Sequence, residues 1–498
     1  DLNASRYTPS STLQRMELLK TGYMGTLSLG WDNYLFLELT GRQERSSTLK
    51  DQSFFYPSAN LSFLFTQAFH MPSWWNYGKL RLSYGIVGNA PETYTANIVY
   101  EQGSDNGFTW NTIPSSWGNA DIRPEKKYEY EIGLESKFLN NRLGIDISYY
   151  NNRVKDQILS TPQPSTSGVK NVLMNVGEVA NRGWDISISA TPILTRDFRW
   201  DLTANYGVYK NKVVKLADGV PYLEILNSGG SGIKIQAVEG QPMGDIYAQV
   251  PQVNENGEYL VSDKGLYLNQ TELQKVGNIN PAGVGGLFNS FSYKNVFLDF
   301  SIDFRIGGDV INEMNQYATA VGLTPESLKY RDTEHGGLSY YYPGDNNSSG
   351  IPVQVDPSTG AGPNGEIIYH DGIILPGVVA STGERNTRII PAGYYYNTTY
   401  NWGTEAEQLT YRHSVFDNSY VKLRELTIGY QFPEKIISKL GLGRLSVSVF
   451  GRNLFYFYKA LKNYDAESSV GTSWANQATV GSSTTATRSF GVSLRASF

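Results

Sequence analysis

The last fourteen residues of the chain, Thr485 to Phe498, read T-A-T-R-S-F-G-V-S-L-R-A-S-F. Apolar and small or polar residues alternate along this stretch, and a period of two is typical of a β-strand with one apolar face. A chain that ends on such a strand and on an aromatic residue favours the closing strand of an outer-membrane β-barrel over the last strand of a soluble β-sandwich. The residues predicted to form the barrel assembly signal are Phe490, Val492, Leu494 and Phe498.

The composition supports a membrane barrel and excludes several other classes of protein. The 498 residues include 35 Tyr, 21 Phe, 9 Trp and 50 Gly, and barrels of this kind build their interfacial girdles from aromatic residues. The chain has no Cys, which excludes disulfide scaffolds, thiolate metal sites and cysteine nucleophiles. The net charge is −5 without a basic run, so we expect no nucleic-acid partner.

Neither a transmembrane helix nor a signal peptide is predicted. No run of about 18 apolar residues exists, and the chain opens at Asp1 on a polar segment. An outer-membrane protein is exported with a signal peptide. We therefore expect that the chain is processed or is part of a larger protein.

The alternation of the terminal strand recurs along the chain and predicts about thirteen strands. Leu27, Leu29 and Trp31 share one face of a strand, and the pattern resumes at Leu35 after a turn. The predicted short connections are Asp32-Asn33, the segment with Pro72, Trp74 and Trp75, Asn140-Asn141, Thr195-Arg196-Asp197, Lys294-Asn295 and about 433–443. The predicted long loops lie at about 43–56, 88–126, 152–178, 211–283, 307–418 and 456–484.

Short and long connections alternate, as they do in bacterial outer-membrane barrels, where periplasmic turns are short and extracellular loops are long. The residues between the apolar ones are polar, which indicates a polar interior rather than the apolar interior of a soluble barrel. The sequence therefore predicts an all-β fold, a transmembrane antiparallel β-barrel. Its longest extracellular loops are expected at about 211–283 and 307–418.

The odd strand number has a consequence for the size of the protein. Single-chain bacterial barrels usually have an even number of strands, so thirteen strands are not expected to close on themselves. We expect residues 1–498 to be the C-terminal part of a 22-stranded barrel whose first nine strands precede them. Counting back from a periplasmic C-terminus places the start of this chain on the extracellular side.

Several stretches resemble SusC/RagA-type TonB-dependent outer-membrane transporters, and they occur in the order found in that family. They include Y-G-K-L-R-L-S-Y-G-I-V-G-N (77–89), R-P-E-K-K-Y-E-Y-E-I-G-L-E (123–135), the segments 141–159, 175–192, 238–247, 419–430 and 448–455, and the terminal Phe498. The resemblance covers nearly the whole chain.

The resemblance implies a 22-stranded barrel that is closed by an N-terminal plug domain and driven by a TonB complex acting on a box near the N-terminus. It also implies a SusD-like surface lipoprotein as a lid, pairing of such units in a lipopolysaccharide-containing membrane, and import of oligosaccharides or sometimes peptides. Plug, TonB box and first strands have no counterpart in this chain. An architectural subunit of an outer-membrane assembly without transport activity is therefore the alternative.

Two tyrosine runs and a tryptophan in the longest predicted loop are candidates for substrate contact, because aromatic faces stack on sugar rings and on peptide side chains. Contact with a lid protein and packing within the loop are the alternatives. The candidates are Tyr340, Tyr341, Tyr342, Tyr394, Tyr395, Tyr396 and Trp402.

The sequence predicts no catalytic site, metal or cofactor. The motifs H-E-x-x-H, G-x-S-x-G and the P-loop are missing, and the four histidines are far apart in the chain. Asp345-Asn346-Asn347 and Asp356-Pro357-Ser358 lack the spacing of a Ca²⁺ loop and favour turns. Glu131, Glu135, Asp299 and Asp303 are interpreted as carboxylates that face the barrel interior. Arg182, Arg424 and Arg452 are also expected to face the interior and to contact acids of the plug.

Overall fold

The computed structural model describes residues 15–50, 53–105, 108–228, 232–344, 350–401, 410–468, 473–481 and 486–497. Three predictions fall outside these residues: the substrate role of Trp402, the assembly role of Phe498 and the turn at Asp345-Asn346-Asn347.

Thirteen long strands belong to one antiparallel sheet and follow each other in chain order, which confirms the predicted all-β fold. They are β1 Lys20–Trp31, β2 Leu35–Ser46, β3 Ser53–Phe63, β4 Trp75–Asn89, β5 Glu125–Phe138, β6 Leu143–Lys155, β7 Glu178–Leu194, β8 Phe198–Lys215, β9 Gly283–Tyr293, β10 Val296–Ile306, β11 Tyr420–Gln431, β12 Arg444–Lys459 and β13 Ser489–Ser497.

The short turns lie where the sequence predicts them. Asp32 and Asn33 have φ angles of 46° and 60°, and Asn140 and Asn141 have φ angles of 57° and 63°. Asn and Asp tolerate this left-handed region better than other residues with a Cβ atom, so they suit tight hairpins. One predicted loop is wrong in length: the loop at 43–56 is shorter, because β2 continues to Ser46 and β3 begins at Ser53, with Glu44 paired to Phe54.

The chain forms two compact units, and the first comprises Asp1–Ile186 and Lys210–Pro221. One face of its sheet is apolar, because the register aligns apolar residues of successive strands. Leu82 in the middle of β4 is 38 % exposed and belongs to this apolar face. The aligned row is Leu29, Leu37, Leu61, Leu82, Ile132 and Tyr149.

The opposite face of the same sheet is polar and carries ion pairs. Two guanidinium nitrogens of Arg81 contact the carboxylate of Asp146, at 2.6 and 3.1 Å. Glu135 contacts Lys79 at 3.1 Å and Arg81 at 3.5 Å. A Cβ atom at Gly133 would lie 2.8 Å from Arg81 Nη2, so glycine leaves room for the arginine between the strands. Glu135 is thus a partner of cations within this chain.

The second unit comprises Ser187–Tyr209 and Tyr222–Phe498, and its part of the sheet has the same division into faces. Trp200 and Phe291 stack with ring centroids 5.5 Å apart on the apolar face. Asp303 and Arg424 meet on the polar face, where β11 bulges against both β10 and β12. The aligned apolar row is Trp200, Phe291, Leu298, Ile428, Val449 and Val492.

The long connections of the second unit, 222–282 and 307–419, are folded and contain buried clusters. Ile233, Ile246 and Ile311 are fully buried in one cluster that also includes Tyr411. The connections contain two four-stranded sheets. The first is formed, in spatial order, by Tyr222–Ser228, Ile233–Val238, Asp245–Ala248 and Gln274–Asn278. The second is formed by Val353–Val355, Leu338–Tyr341, Tyr369–Ile373 and Ile390–Pro391. Paired segments are Leu260–Val261 with Val378–Val379 and Asp309–Ile311 with Val415–Asp417.

Smaller strands also occupy two long connections of the first unit. They are Glu101–Asp105, Phe108–Thr112, Ser116–Trp117, Ile158–Pro162 and Asn171–Asn175. The part of the chain that the structure describes has four short α-helices: α1 Phe65–Ala68, α2 Glu313–Ala320, α3 Ala392–Tyr400 and α4 Glu434–Ile437. Within the described residues, no helix has the length and apolar character needed to cross a membrane.

Candidate ligand-binding site

A cavity of about 510 Å³ lies among the folded long connections of the second unit, and we call it the tyrosine pocket. Its size falls within the range of small-ligand sites. Apolar residues such as Ile373 and Leu375 form part of its wall. Its tyrosines are Tyr267, Tyr330, Tyr395, Tyr396 and Tyr400.

Helix α3 supplies three of these tyrosines. It begins after Pro391, whose fixed φ of −63° suits the residue that precedes a helix. Tyr396 and Tyr400 are four residues apart and therefore share a helix face, with ring centroids 5.7 Å apart. Tyr395 lies 5.1 Å from Tyr396 and 6.1 Å from Tyr400, so the helix presents a packed group of three rings.

Hydrogen bonding and burial keep the phenol groups of the pocket neutral. The Tyr396 hydroxyl donates to the carbonyl oxygen of Glu326 at 2.8 Å. Burial raises the pKa of Tyr396 to about 12. Burial and the nearby Tyr259 and Tyr330 raise the pKa of Tyr267 to about 12 as well. Both hydroxyls stay protonated at neutral pH, so the Tyr267 hydroxyl can donate to a ligand, whereas the Tyr396 hydroxyl already donates its proton to Glu326 and its oxygen can only accept.

The ring of His413 supports the pocket from behind. It stacks on Tyr400 with centroids 4.3 Å apart and an interplanar angle of 17°. Burial, and then the charge of Arg412, lower the pKa of His413 to about 4. A neutral imidazole at physiological pH therefore stabilises the position of Tyr400 by packing.

The rim of the pocket is charged. Glu326 and Lys329 are exposed, and the Lys329 ammonium lies 4.8 Å from the centroid of Tyr330. Aromatic walls with a polar rim suit a ligand that has apolar ring faces or side chains and polar edges. Among the described residues, no group of three or more His, Cys, Asp or Glu side chains could hold a metal ion.

The predicted tyrosines fall into three groups. Tyr395 and Tyr396 line the tyrosine pocket, and Tyr342 and Tyr394 line a second cavity. Tyr340 is 2 % exposed and donates from its hydroxyl to Asp371 at 3.1 Å, while Tyr341 is half-buried outside both cavities. Sequence reasoning missed three residues of the tyrosine pocket: Tyr267, Tyr330 and Tyr400. Only Tyr400 has a local signal in the sequence, because it lies four residues after Tyr396.

Phe490, Val492 and Leu494, three of the residues predicted to form the assembly signal, lie on β13, which is the last strand in the sheet order. Their side chains point to the apolar face, as the pairing of Val492 with Val449 shows. Their exposed fractions are 73 % for Phe490, 71 % for Val492 and 70 % for Leu494. The assembly role itself stays a prediction.

A group of ion pairs joins the strands to the connection that follows β12, and we call it the Glu467 cluster: Asp303, Lys422, Arg424 and Glu467. Arg424 donates to Asp303 at 2.6 Å and to Glu467 at 2.8 Å. Lys422 is 1 % exposed and also contacts Glu467. Of the arginines expected to meet plug acids, Arg424 thus pairs with acids of its own chain, and Arg452 likewise pairs with Glu425 at 2.9 Å.

The two cations change the acidity of Glu467. Burial alone would raise its pKa, but hydrogen bonds from Arg424 and Lys422 outweigh burial and lower the pKa to about 2. A depressed carboxyl pKa contributes stability above the pKa of the unfolded chain, and this contribution is lost as the pH falls through the folded value.

We therefore expect the connection 460–468 to open as the pH falls from about 4.5 towards 2, since Glu467 becomes protonated in this window. The rate of pepsin cleavage within 460–468, normalised to a peptide substrate at each pH, should rise over this range. In the Glu467→Gln variant the segment should already be open at pH 4.5, so its cleavage rate should change little as the pH falls further. A normalised cleavage rate of the unaltered protein that stays constant over this pH range would contradict the prediction.

Comparison with known proteins supports the predicted fold and identity. Residues 3–242 match the family model described as TonB dependent receptor-like, beta-barrel. The TonB-dependent receptor P3 of Formosa agariphila is 24 % identical over 494 residues, which cover 90 % of this chain and 42 % of that protein. The TonB-dependent receptor SusC of Bacteroides thetaiotaomicron is 30 % identical over 247 residues, which cover 46 % of this chain and 24 % of SusC.

A solved structure described as the RagAB peptide transporter has the same fold. Its TM-score is 0.66 at 19 % identity, and the match covers 93 % of this chain and 47 % of that one. This chain spans less than half the length of the curated relatives it matches. These matches confirm the predicted resemblance to SusC/RagA-type TonB-dependent receptor β-barrels and the predicted location in the outer membrane of a Gram-negative bacterium.

Proposed function

We propose that this chain is the barrel part of an importer that takes up a nutrient oligosaccharide, or alternatively a peptide, across the outer membrane. The match of residues 3–242 to the TonB-dependent receptor family model supports transport, and the similarity to SusC and to the RagAB peptide transporter supports this type of importer. The tyrosine pocket carries the proposal for this chain, because it combines aromatic rings and neutral hydroxyl groups in one cavity of the long connections. Transport in this proposal involves no catalytic step and no cofactor.

The tyrosine pocket holds the nutrient at the extracellular end of the barrel. The group of Tyr395, Tyr396 and Tyr400 offers ring faces for stacking, while Glu326 and Lys329 at the rim bind polar groups of the ligand. Binding at several weak contacts allows release inward once the path opens.

Other parts of the importer complete the cycle. A SusD-like surface lipoprotein closes over the long connections and traps the nutrient. A TonB complex then pulls on an N-terminal plug and opens the path. The apolar face of the sheet contacts lipid and lipopolysaccharide, and two importer–lid units can pair in the membrane.

Tyr395→Ala tests the role of the pocket. Losing this ring removes stacking area and loosens its contacts with Tyr396 and Tyr400, so we expect the concentration for half-maximal uptake to rise about tenfold. A strain that lacks the gene is first grown on a panel of glycans and peptides to find the nutrient that it no longer uses. Uptake of this nutrient is then measured in strains with the variant protein.

Tyr341→Ala is the matched control, because it removes the same ring from a half-buried position outside the pocket. It should leave uptake unchanged at equal protein levels in the outer membrane. Normal growth of the deletion strain on every nutrient would reject import, and equal uptake by both variants would reject the pocket.

A further inference from the structure

A second cavity, of about 470 Å³, lies in the long connections of the second unit, and we call it the arginine cavity. Arg388 and Lys264 are part of its lining, and among the described residues that line it there is no Asp or Glu. Two tyrosines, Tyr342 and Tyr394, supply ring surface. The cavity is therefore cationic, in contrast to the net charge of −5 of the whole chain.

The guanidinium of Arg388 is held in place without an acidic partner. Its Nη1 atom donates to the carbonyl oxygen of Asp263 at 2.8 Å, which fixes the orientation of the group. Its Nε atom is buried and has no hydrogen-bond partner. Across the described parts of the chain, no carboxylate lies within ion-pair distance of this guanidinium. A partly buried guanidinium whose Nε has no partner gains a charge-assisted hydrogen bond when a ligand supplies an anion.

The surroundings strengthen the attraction for an anion. Ile389, Ile390 and Pro391 form apolar walls, which screen charge less than water does. Pro391 and Tyr394 also belong to the start of α3, which has no side-chain cap and no acidic residue in its first turn. The positive end of the helix dipole therefore adds to the charge of Arg388.

We propose that the arginine cavity binds a carboxylate group of the nutrient. A planar carboxylate matches the fork of a guanidinium, and the tyrosine rings cover the ring or side chain that bears it. This rests on the proposed function, since the occupant is part of the imported molecule. A uronic-acid oligosaccharide and an acidic peptide both present this chemistry.

Binding to the protein, purified from outer membranes in mild detergent with its partners, tests the inference by calorimetry. The probes are trigalacturonate, its methyl-esterified neutral form, N-acetylated triglutamate and neutral N-acetylated trialanine amide. We expect the Kd of one acidic probe to be at least tenfold lower than that of its neutral counterpart. Tighter trigalacturonate indicates a glycan source, and tighter triglutamate indicates a peptide source.

Arg388→Gln keeps most of the side-chain length and removes the charge, so it should raise the Kd of the acidic probe about 10- to 100-fold. Arg385→Gln makes the same charge change three residues away at an exposed position outside the cavity, and should have almost no effect. Equal affinity for acidic and neutral probes, no binding of either acid, or equal effects of the two variants would overturn the inference. Binding in detergent requires no uptake, so its result is separate from the growth and uptake assays.

Discussion

Leu82→Arg is expected to destabilise the protein in the membrane by about 2–4 kcal/mol, whereas Ser83→Arg is expected to be tolerated. Leu82 lies at the centre of β4 in the apolar row, which in a membrane barrel faces the lipid interior. Ser83 pairs with Asn60 and Glu131 on the polar face, where an added cation meets a carboxylate. Urea unfolding in lipid vesicles measures the difference.

The two substitutions are matched, because they add the same side chain at neighbouring positions of one strand. Equal destabilisation by both would contradict the assignment of the faces to lipid and to the barrel interior. Greater destabilisation by Ser83→Arg would reverse it.

Glu467→Gln is expected to open the connection 460–468, at a cost of about 3 kcal/mol to its local stability. The substitution leaves Lys422, which is 1 % exposed, without its anionic partner, and it removes one of the two carboxylates bound by Arg424. Amide hydrogen exchange within 460–468 should become about 100-fold faster, since 1.4 kcal/mol corresponds to a factor of ten.

Glu434→Gln is the control for this prediction. Glu434 is exposed at the start of α4, and within the described residues it has no ion-pair partner. Its substitution should leave exchange in 460–468 unchanged. Unchanged exchange in Glu467→Gln as well would show that the Glu467 cluster does not hold this connection closed.

The strands could be predicted from the sequence because their signal is local. A period of two, together with Asp32-Asn33 and Asn140-Asn141 at the turns, identifies strands without knowledge of their partners. The end of β2 could not be placed, since Arg42 and Glu44 look like loop residues and only their pairing with Tyr56 and Phe54 shows the strand.

The internal structure of the long connections could not be predicted, because it depends on contacts between distant segments. Ile246 and Tyr411 are far apart in the chain and pack into one cluster. The same reason explains the partial prediction of the sites. Tyr395 and Tyr396 stand out as a run, whereas Tyr267 and Arg388 are single residues whose role depends on what folds against them.

The central claim is that this chain works as the barrel of an importer with a plug and a lid. Mass spectrometry of the complex, purified from outer membranes in mild detergent, tests it most directly. We expect a plug segment with a TonB box, in the same polypeptide or in a second one, and a SusD-like lipoprotein in stoichiometric amount. A complex without a plug segment and without a surface lipoprotein would contradict the claim and favour the architectural role.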